Sequence, residues 1–447
     1  MDQHPTKPQQ EKILSNKREV FGWAMYDWAN SAFSTTVGTT FLNSYLIALA
    51  MADGGTVNVL GLEIEASSFF PYCVSLSVLL QVLFLPILGS LADYSNLKKM
   101  LMMGFAYLGS VATLLLFFVQ SSSTIILGGG LFIIANLAFG AAIVFYNAFL
   151  PEIAGPDERD SVSSKGFAFG YLGGGTLLLA NLILVYFMED QTLAIRISLA
   201  SAGVWWLAFT FLFPQRYLVQ REPVHTLPAG ESYFSHSLKQ LASTLKDMKT
   251  KYPKTLRYLL AYLIYNDGIQ TVIVVAGGFA TSELGLPFEM LAVLVLMIQF
   301  VAAAGALLFN RVSGRIGAKQ AIMINLGIWV LLIIYTFAFL TSMAEFWIVG
   351  ALLAVVLGGS QALSRSLFSQ MIPENREAEY FSFYEISERG TSWLGPFVFA
   401  LVVDLTGIQR LGIISLVLFF AVGLVLLYTT DVRRAITDSG NQLPTVV

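Results

Sequence analysis

Asp27 and Asn30 stand in the stretch YDWANS, Tyr26 to Ser31, inside a run of apolar residues that opens with FGWAM and continues as AFSTTVGTTFL. A charge at the middle of a membrane helix costs roughly 2.5–3.5 kcal/mol, so an aspartate there must be paired, protonated or wetted by a cavity. Counted from Glu19, Asp27 lies roughly 12 Å along a helix that rises 1.5 Å per residue. Trp23, Asp27, Asn30, Ser31 and Ser34 recur at helical spacing and share one face. A polar stripe on an apolar helix does not meet lipid. Its chemistry is to bind a cationic group or to carry a proton. Asp267, Gln270 and Thr271 make a similar stripe later in the chain. Asn136, Gly140, Ile143 and Asn147 share a face with Tyr146 beside it, and Gln361 and Arg365 lie one turn apart.

Other chemistries lack their residues. No GxxxxGK[ST] loop is present to cradle a nucleotide. His4, His225 and His236 all fall in polar stretches, so no metal site within the membrane is expected. No Ser-His-Asp or Cys-His set points to an enzyme, and no cofactor or nucleic-acid partner is expected. The single cysteine, Cys73, reads as helix packing.

The elements that must position these side chains are membrane helices. Of the 447 residues 56% are hydrophobic and 12% charged, against about 25% charged in a soluble chain. Twelve apolar segments fall near 19–50, 69–92, 99–120, 122–149, 163–188, 193–213, 255–281, 288–310, 317–340, 343–371, 378–404 and 409–430. Most reach the ~20 residues that a helix needs to cross a bilayer. The expected fold is an all-α polytopic membrane protein of twelve transmembrane helices in two six-helix bundles. Its parts are an N-terminal tail (1–18), a first bundle (19–213), a linker (214–254), a second bundle (255–430) and a C-terminal tail (431–447). No cleavable signal peptide precedes the first span. All but Arg196 and Arg410 of the 26 Lys and Arg residues fall on the side of the two tails, which makes that side cytoplasmic. In the linker, Phe234, Leu238, Leu241, Leu245 and Met248 recur at helical spacing. They read as an amphipathic helix lying on the inner membrane face or packed against the bundle ends.

The halves repeat each other. DWAN at 27–30 matches DGIQ at 267–270, LADYSNLKK at 91–99 matches VSGRIGAKQ at 312–320, and PDERDSVS at 156–163 matches PENREAEY at 373–380. All three matches come in the same order, as inverted or parallel repeats do in transporters. The first and fourth helices of each half hold most of the buried polar residues. The third and sixth are nearly pure hydrocarbon, apart from Asn325, and are expected to face lipid. Gly166, Gly170 and Gly173 to Gly175 in helix 5, and the small-residue run around Gly305 in helix 8, would permit close approach. Gly170 and Gly305 are expected at a sliding contact between the halves. Glu385 and Arg389 are spaced to pair within one helix and are expected to act in gating.

Twelve spans in two matched halves with a long central loop resemble the major facilitator superfamily. The turn GSLADYSNLKK at 89–99 looks like that superfamily's signature between helices 2 and 3, with Tyr94 where an arginine is common. By this resemblance Asp93 would contact the second half and steady an outward-open state. The segment WAMYDWANSAFSTTV at 23–37 is similar to the helix 1 motif of the vacuole-effluxer branch, related to an autophagy-linked vacuolar amino-acid exporter. The expected function is secondary transport by alternating access of a small polar solute, an amino acid or similar zwitterion, coupled to protons. Asp27 and Asp267 would carry the coupling proton. Asp27, Asn30, Tyr146, Asn147, Asp267, Gln270, Gln361 and Arg365 would line the site. The expected setting is a monomer in a bacterial inner membrane. A transport-inactive receptor and an exporter of lipid or hydrophobic compounds are the alternatives.

Overall fold

In the computed structural model, residues 16–222, 233–287, 290–389 and 394–447 are described. The first span combines α1 (Lys17–Ala32), a π-helical stretch (Phe33–Phe41) and α2 (Leu42–Met51). A hairpin of β1 (Thr56–Val59) and β2 (Leu62–Glu65) leads to α3 (Ala66–Asp93), α4 (Lys98–Leu115), α5 (Ile125–Ala148) and the short α6 (Leu150–Ile153). Next come α7 (Arg159–Phe187), α8 (Gln191–Leu212), the single turn α9 (Pro214–Tyr217) and the linker helix α10 (Tyr233–Thr250). The second half runs through α11 (Pro253–Leu284), α12 (Met290–Ile316), α13 (Ala318–Ala338) and α14 (Met343–Gln370). It closes with α15 (Glu377–Arg389), α16 (Leu394–Thr406), α17 (Gln409–Ser415), α18 (Val417–Thr429) and α19 (Val432–Asp438).

Among the described residues ten helical stretches are long and apolar enough to cross a membrane. The first span, broken by its π-helical stretch, and the helices α15 and α16 are consistent with the expected course of twelve crossings. This course puts Lys17, the linker and α19 on one face, termed the terminal face, and the β-hairpin on the far face. Helix starts follow the local chemistry: the side chain of Asp190 accepts from Leu193 N, and Ser342 and Glu345 form a reciprocal capping box. The hairpin was legible only as a loop. Leu60 and Gly61 both take positive φ, 53° and 89°, which a two-residue turn requires. Leucine in the first of these positions gives no turn signal.

Each half packs its own core, with α1 on α7 and α4 on α5 and α8 in the first, and α12 on α14 and α11 on α18 in the second. Between the halves, α7 lies against α12 and α14, and α15 lies against α3 and α5. The repeat extends to the two basic residues of the far face. Near the start of the sixth span of the first half, Arg196 Nε donates to Phe117 O (2.7 Å). At the equivalent place in the second half, Arg410 Nη2 donates to Leu340 O (2.6 Å). Each guanidinium closes the carbonyl end of its half's third span, where a cation suits the helix dipole.

The expectation for two glycines changes. The small residues at Gly170 and Gly305 serve contacts within each half rather than a sliding surface between them. A Cβ at Gly170 would lie 2.8 Å from Ser31 Oγ on α1, and one at Gly305 would collide with the backbone of Val355 on α14. Close crossing inside a bundle is what their missing side chains allow. Helix α10 docks on the bundle ends. Its Thr244 hydroxyl donates to Glu379, its Asp247 pairs with Arg376 at 3.3 Å, and Leu245 is left exposed. Of the expected apolar face Met248 is buried and Leu245 exposed, and Ser237 and Thr244 are buried with Met248; the Phe234 and Leu238 side chains lie outside the described residues. The C-terminal tail folds back across both halves. Asn441 Nδ2 donates to Gln370 O (2.8 Å) and Ile372 O (2.7 Å), while Thr445 N donates to Asp157 Oδ1 (2.6 Å).

The terminal face is closed by bonds between the halves. Asp93 accepts from Ala378 N (3.0 Å) and Glu379 N (2.8 Å), the free N–H groups at the start of α15. Gly89 lets α3 come this near, since a Cβ there would lie 2.5 Å from Ala378 O. Arg159 Nη1 donates to Ser369 O (2.7 Å), Gln370 Nε2 to Pro156 O (2.7 Å), and Ser366 to Asp160. Removing the cap by Asp93→Ala should weaken closure by about 0.5–2 kcal/mol. A cysteine placed at buried Ser369, with Cys73 changed to Ser, should then be alkylated about two- to thirtyfold faster than with Asp93 intact. An unchanged rate would show that the cap does not hold this face shut.

Candidate substrate site

The polar stripe of α1 meets α14 at the centre of the molecule. Asp27 Oδ2 accepts from Tyr146 Oη (2.6 Å) and from Arg365 Nη1 (3.3 Å). The two charged residues belong to different halves, and both are buried. Arg365 makes four hydrogen bonds, using all three of its nitrogens. Its Nη1 also donates to Asn147 Oδ1 (3.3 Å), its Nε to Ser163 Oγ (2.9 Å) and its Nη2 to Ser163 O (2.9 Å). Its guanidinium lies over the rings of Phe167, Trp23 and Tyr146, at 4.1, 4.8 and 5.4 Å from their centroids. Trp23 stacks on Tyr146 at 4.3 Å and donates from Nε1 to its carbonyl (2.8 Å). Gly166 is the space this assembly occupies, because a Cβ there would lie 2.7 Å from Asp27 Oδ2 and 2.8 Å from Arg365 Nη2.

The network continues through Asn147, whose Nδ2 donates to Glu385 Oε1 (3.0 Å). Glu385 Oε2 in turn accepts from Arg389 Nε (3.2 Å), and Arg389 lies over the Phe139 ring (4.7 Å). One connected chain thus runs from Tyr146 through Asp27, Arg365, Asn147 and Glu385 to Arg389, crossing between the halves three times. Above it lies a cavity of about 320 Å³. Its lining comes from the first, fourth, fifth, seventh, eighth, tenth and eleventh spans. Among the described residues the third, sixth, ninth and twelfth contribute nothing to it, as their apolar composition predicted. Exposure along the α1 stripe rises from Asp27 and Asn30, which are buried, to Ser34 and Thr39, which are exposed. The cavity therefore opens toward the far face and is floored by the ion pair. The π-helical stretch begins three residues after Asn30, and such local unwinding is frequent at functional sites.

Six of the eight residues expected to line the site do so: Asp27, Asn30, Asn147, Gln270, Gln361 and Arg365. Two do not. Tyr146 is wholly buried behind Asp27, which it positions. Asp267 points at the start of α16, where its Oδ2 accepts from Gly395 N (2.7 Å), and it has no cationic partner among the described residues. Its Oδ1 is buried with no hydrogen bond among the described residues. The matched stripe misled because Gly395, at the start of α16, presents its N–H to Asp267, where Asp27 meets an arginine. Glu385 and Arg389 pair as their spacing predicts and also line the cavity. Ser163, Phe167, Tyr171 and Gln299 were missed. Gln299, which donates to Thr35 Oγ1 (3.1 Å), had a signal as the single polar residue in LAVLVLMIQFVAAAG. Tyr171, which donates to Gln361, had none.

Removing one member of a buried ion pair strands the other. Arg365→Gln should lower stability by about 3–5 kcal/mol. Adding Asp27→Asn to that protein should restore about 0.5–3 kcal/mol through the coupling of neighbours. Thermal unfolding of the four proteins closes the cycle, and strict additivity would dissolve the pair as an energetic unit.

Known proteins resemble this chain over nearly its whole length. The family model described as vacuole effluxer Atg22 like matches residues 15–440. An uncharacterized MFS-type transporter, YxiO, of Bacillus subtilis (strain 168) is 28% identical over 434 residues, covering 94% of this chain and 97% of the relative. Autophagy-related protein 22-1 of Penicillium rubens is 26% identical over 555 aligned positions, covering 97% and 93%. Among solved structures, the major facilitator transporter FucP in its outward conformation superimposes with a TM-score of 0.66 at 13% identity, covering 93% of this chain and 100% of that one. The proton:xylose symporter XylE gives 0.65 at 13% identity, covering 92% and 94%. With the fold, the two-half site and these matches in agreement, the chain belongs to the vacuole effluxer Atg22-like family of major facilitator transporters.

Proposed function

We propose that this membrane transporter moves an amino acid or similar zwitterion by proton-coupled alternating access. The observation that carries the reading is the Asp27–Arg365 pair (3.3 Å) at the floor of the cavity, one charge from each half. Opening the terminal face separates the halves and must break this pair. A proton on Asp27 neutralises it and releases Arg365, so protonation and opening are linked through one carboxylate. The open cavity presents acids, amides and guanidinium groups together, a lining that matches opposite charges on one small solute. Asp267, which lies away from this lining, is a weaker candidate for the coupling proton than Asp27.

The sidedness follows from charge. Lys and Arg concentrate on the terminal face, which makes that face cytoplasmic under the positive-inside rule. The conformation described here is then outward-facing and closed to the cytoplasm.

Purified protein screened by thermal shift against amino acids should show a selective rise in Tm, because a ligand at 100 times its Kd adds about 2.7 kcal/mol. In proteoliposomes that solute should drive proton flux. Asp27→Asn should abolish the proton flux. Undiminished proton coupling in Asp27→Asn would remove Asp27 from the mechanism, and the absence of any amino-acid shift would remove the zwitterion.

A further inference from the structure

The cavity holds two guanidinium groups, and they are not equivalent. Arg365 has three of its nitrogens in hydrogen bonds to Asp27, Asn147 and Ser163 and is enclosed by three rings. Its side chain is 4% exposed. A ligand carboxylate could reach it only by displacing the contacts that hold the halves together. Arg389 is built differently. Its side chain is 23% exposed in the cavity wall, and Nε makes its one ion pair, with Glu385. Its Nη1 and Nη2 have no hydrogen bond among the described residues, and the Phe139 ring beneath holds the guanidinium plane. A planar fork with both ends open is the geometry that takes a carboxylate through two parallel bonds.

The acidic partner shows a matching asymmetry. Both bonds to Asp27 fall on Oδ2, and a carboxylate has two oxygens with about four acceptor positions. Oδ1 is the oxygen with capacity left on a residue that lines the cavity.

We propose that Arg389 receives the substrate's carboxylate and Asp27 Oδ1 its ammonium, while Arg365 is a strut between the halves that positions Asp27 and does not bind the solute. This assignment rests on the zwitterion reading. It makes Arg389 the residue that selects for an acid group. It also connects binding to the switch: a carboxylate on the Arg389 fork competes with Glu385, whose other oxygen holds Asn147 and through it Arg365.

The test uses the amino acid that gives the largest thermal shift with the unmodified protein, together with its carboxamide analogue. The unmodified protein should prefer the acid to the amide by at least tenfold in Kd. In Arg389→Gln that preference should fall below about twofold with the affinity for the amide unchanged, and in Arg389→Lys, which keeps the charge without the fork, it should fall to an intermediate value. A preference that survives in both variants overturns the assignment. If Arg389→Gln does not fold, Arg389→Lys decides: loss of at least threefold in preference supports the fork, and full retention overturns it. If amino acids shift the unmodified protein but acid and amide bind alike, the zwitterion reading survives and this assignment fails. If no amino acid shifts it, both fall.

Discussion

A guanidinium and a carboxylate buried together in a membrane protein stand or fall as a pair, and here each belongs to a different half of the molecule. Asp27 and Arg365 would each be costly alone in an apolar surrounding. The structure surrounds their contact with what makes it tolerable: the Tyr146 hydroxyl, the Ser163 hydroxyl and carbonyl, the Asn147 amide and three aromatic faces. Gly166 clears the room they need. Because these partners all belong to the first half and Arg365 to the second, the satisfaction of the pair depends on conformation. A state in which the halves part must supply another neutraliser. Only species that interact differently with the two states can shift the balance between them.

Three layers of contact follow from that centre. Nearest the terminal face, Asp93 on the N–H groups of α15 and Arg159 on Ser369 O hold the halves with bonds to backbone. The middle layer is the ion pair and its chain to Arg389. Beyond it the cavity widens toward the far face. The scaffold is duplicated, as the matching roles of Arg196 and Arg410 show, yet the chemistry is not. Asp27 faces an arginine, and its counterpart Asp267 faces one N–H. The duplicated frame gives equivalent places, and the side chains that arrive from elsewhere decide what each place does.

That division explains what could be read from the chain alone. The stripe Trp23, Asp27, Asn30, Ser31 was legible because helical spacing is local, and the apolar third and sixth helices were legible for the same reason. The asymmetry of Lys and Arg is likewise a local feature, and it agrees with the expected twelve crossings. Contacts between distant segments left no such trace. Gly170 and Gly305 announce close approach without naming the neighbour, and α1 and α14 turned out to be those neighbours. Glu385 and Arg389 were readable as a pair at i, i+4, but their link to Asn147, 238 residues away, was not. Leu60 carried no sign of the left-handed turn it occupies.

The separation of Asp27 from Arg365 along the chain, 338 residues, also has a consequence in time. A ribosome adding about 5–20 residues per second needs tens of seconds to reach the arginine after it has made the aspartate. The first span, divided by its π-helical stretch, is not among the ten helical stretches of the described residues that are long and apolar enough to cross a membrane. Throughout that interval Asp27 is without the cation that completes its site, so the nascent helix enters the membrane either with the carboxyl neutral or with water still at its polar face. The pairing that joins the two halves leaves the first helix to begin its assembly without its partner.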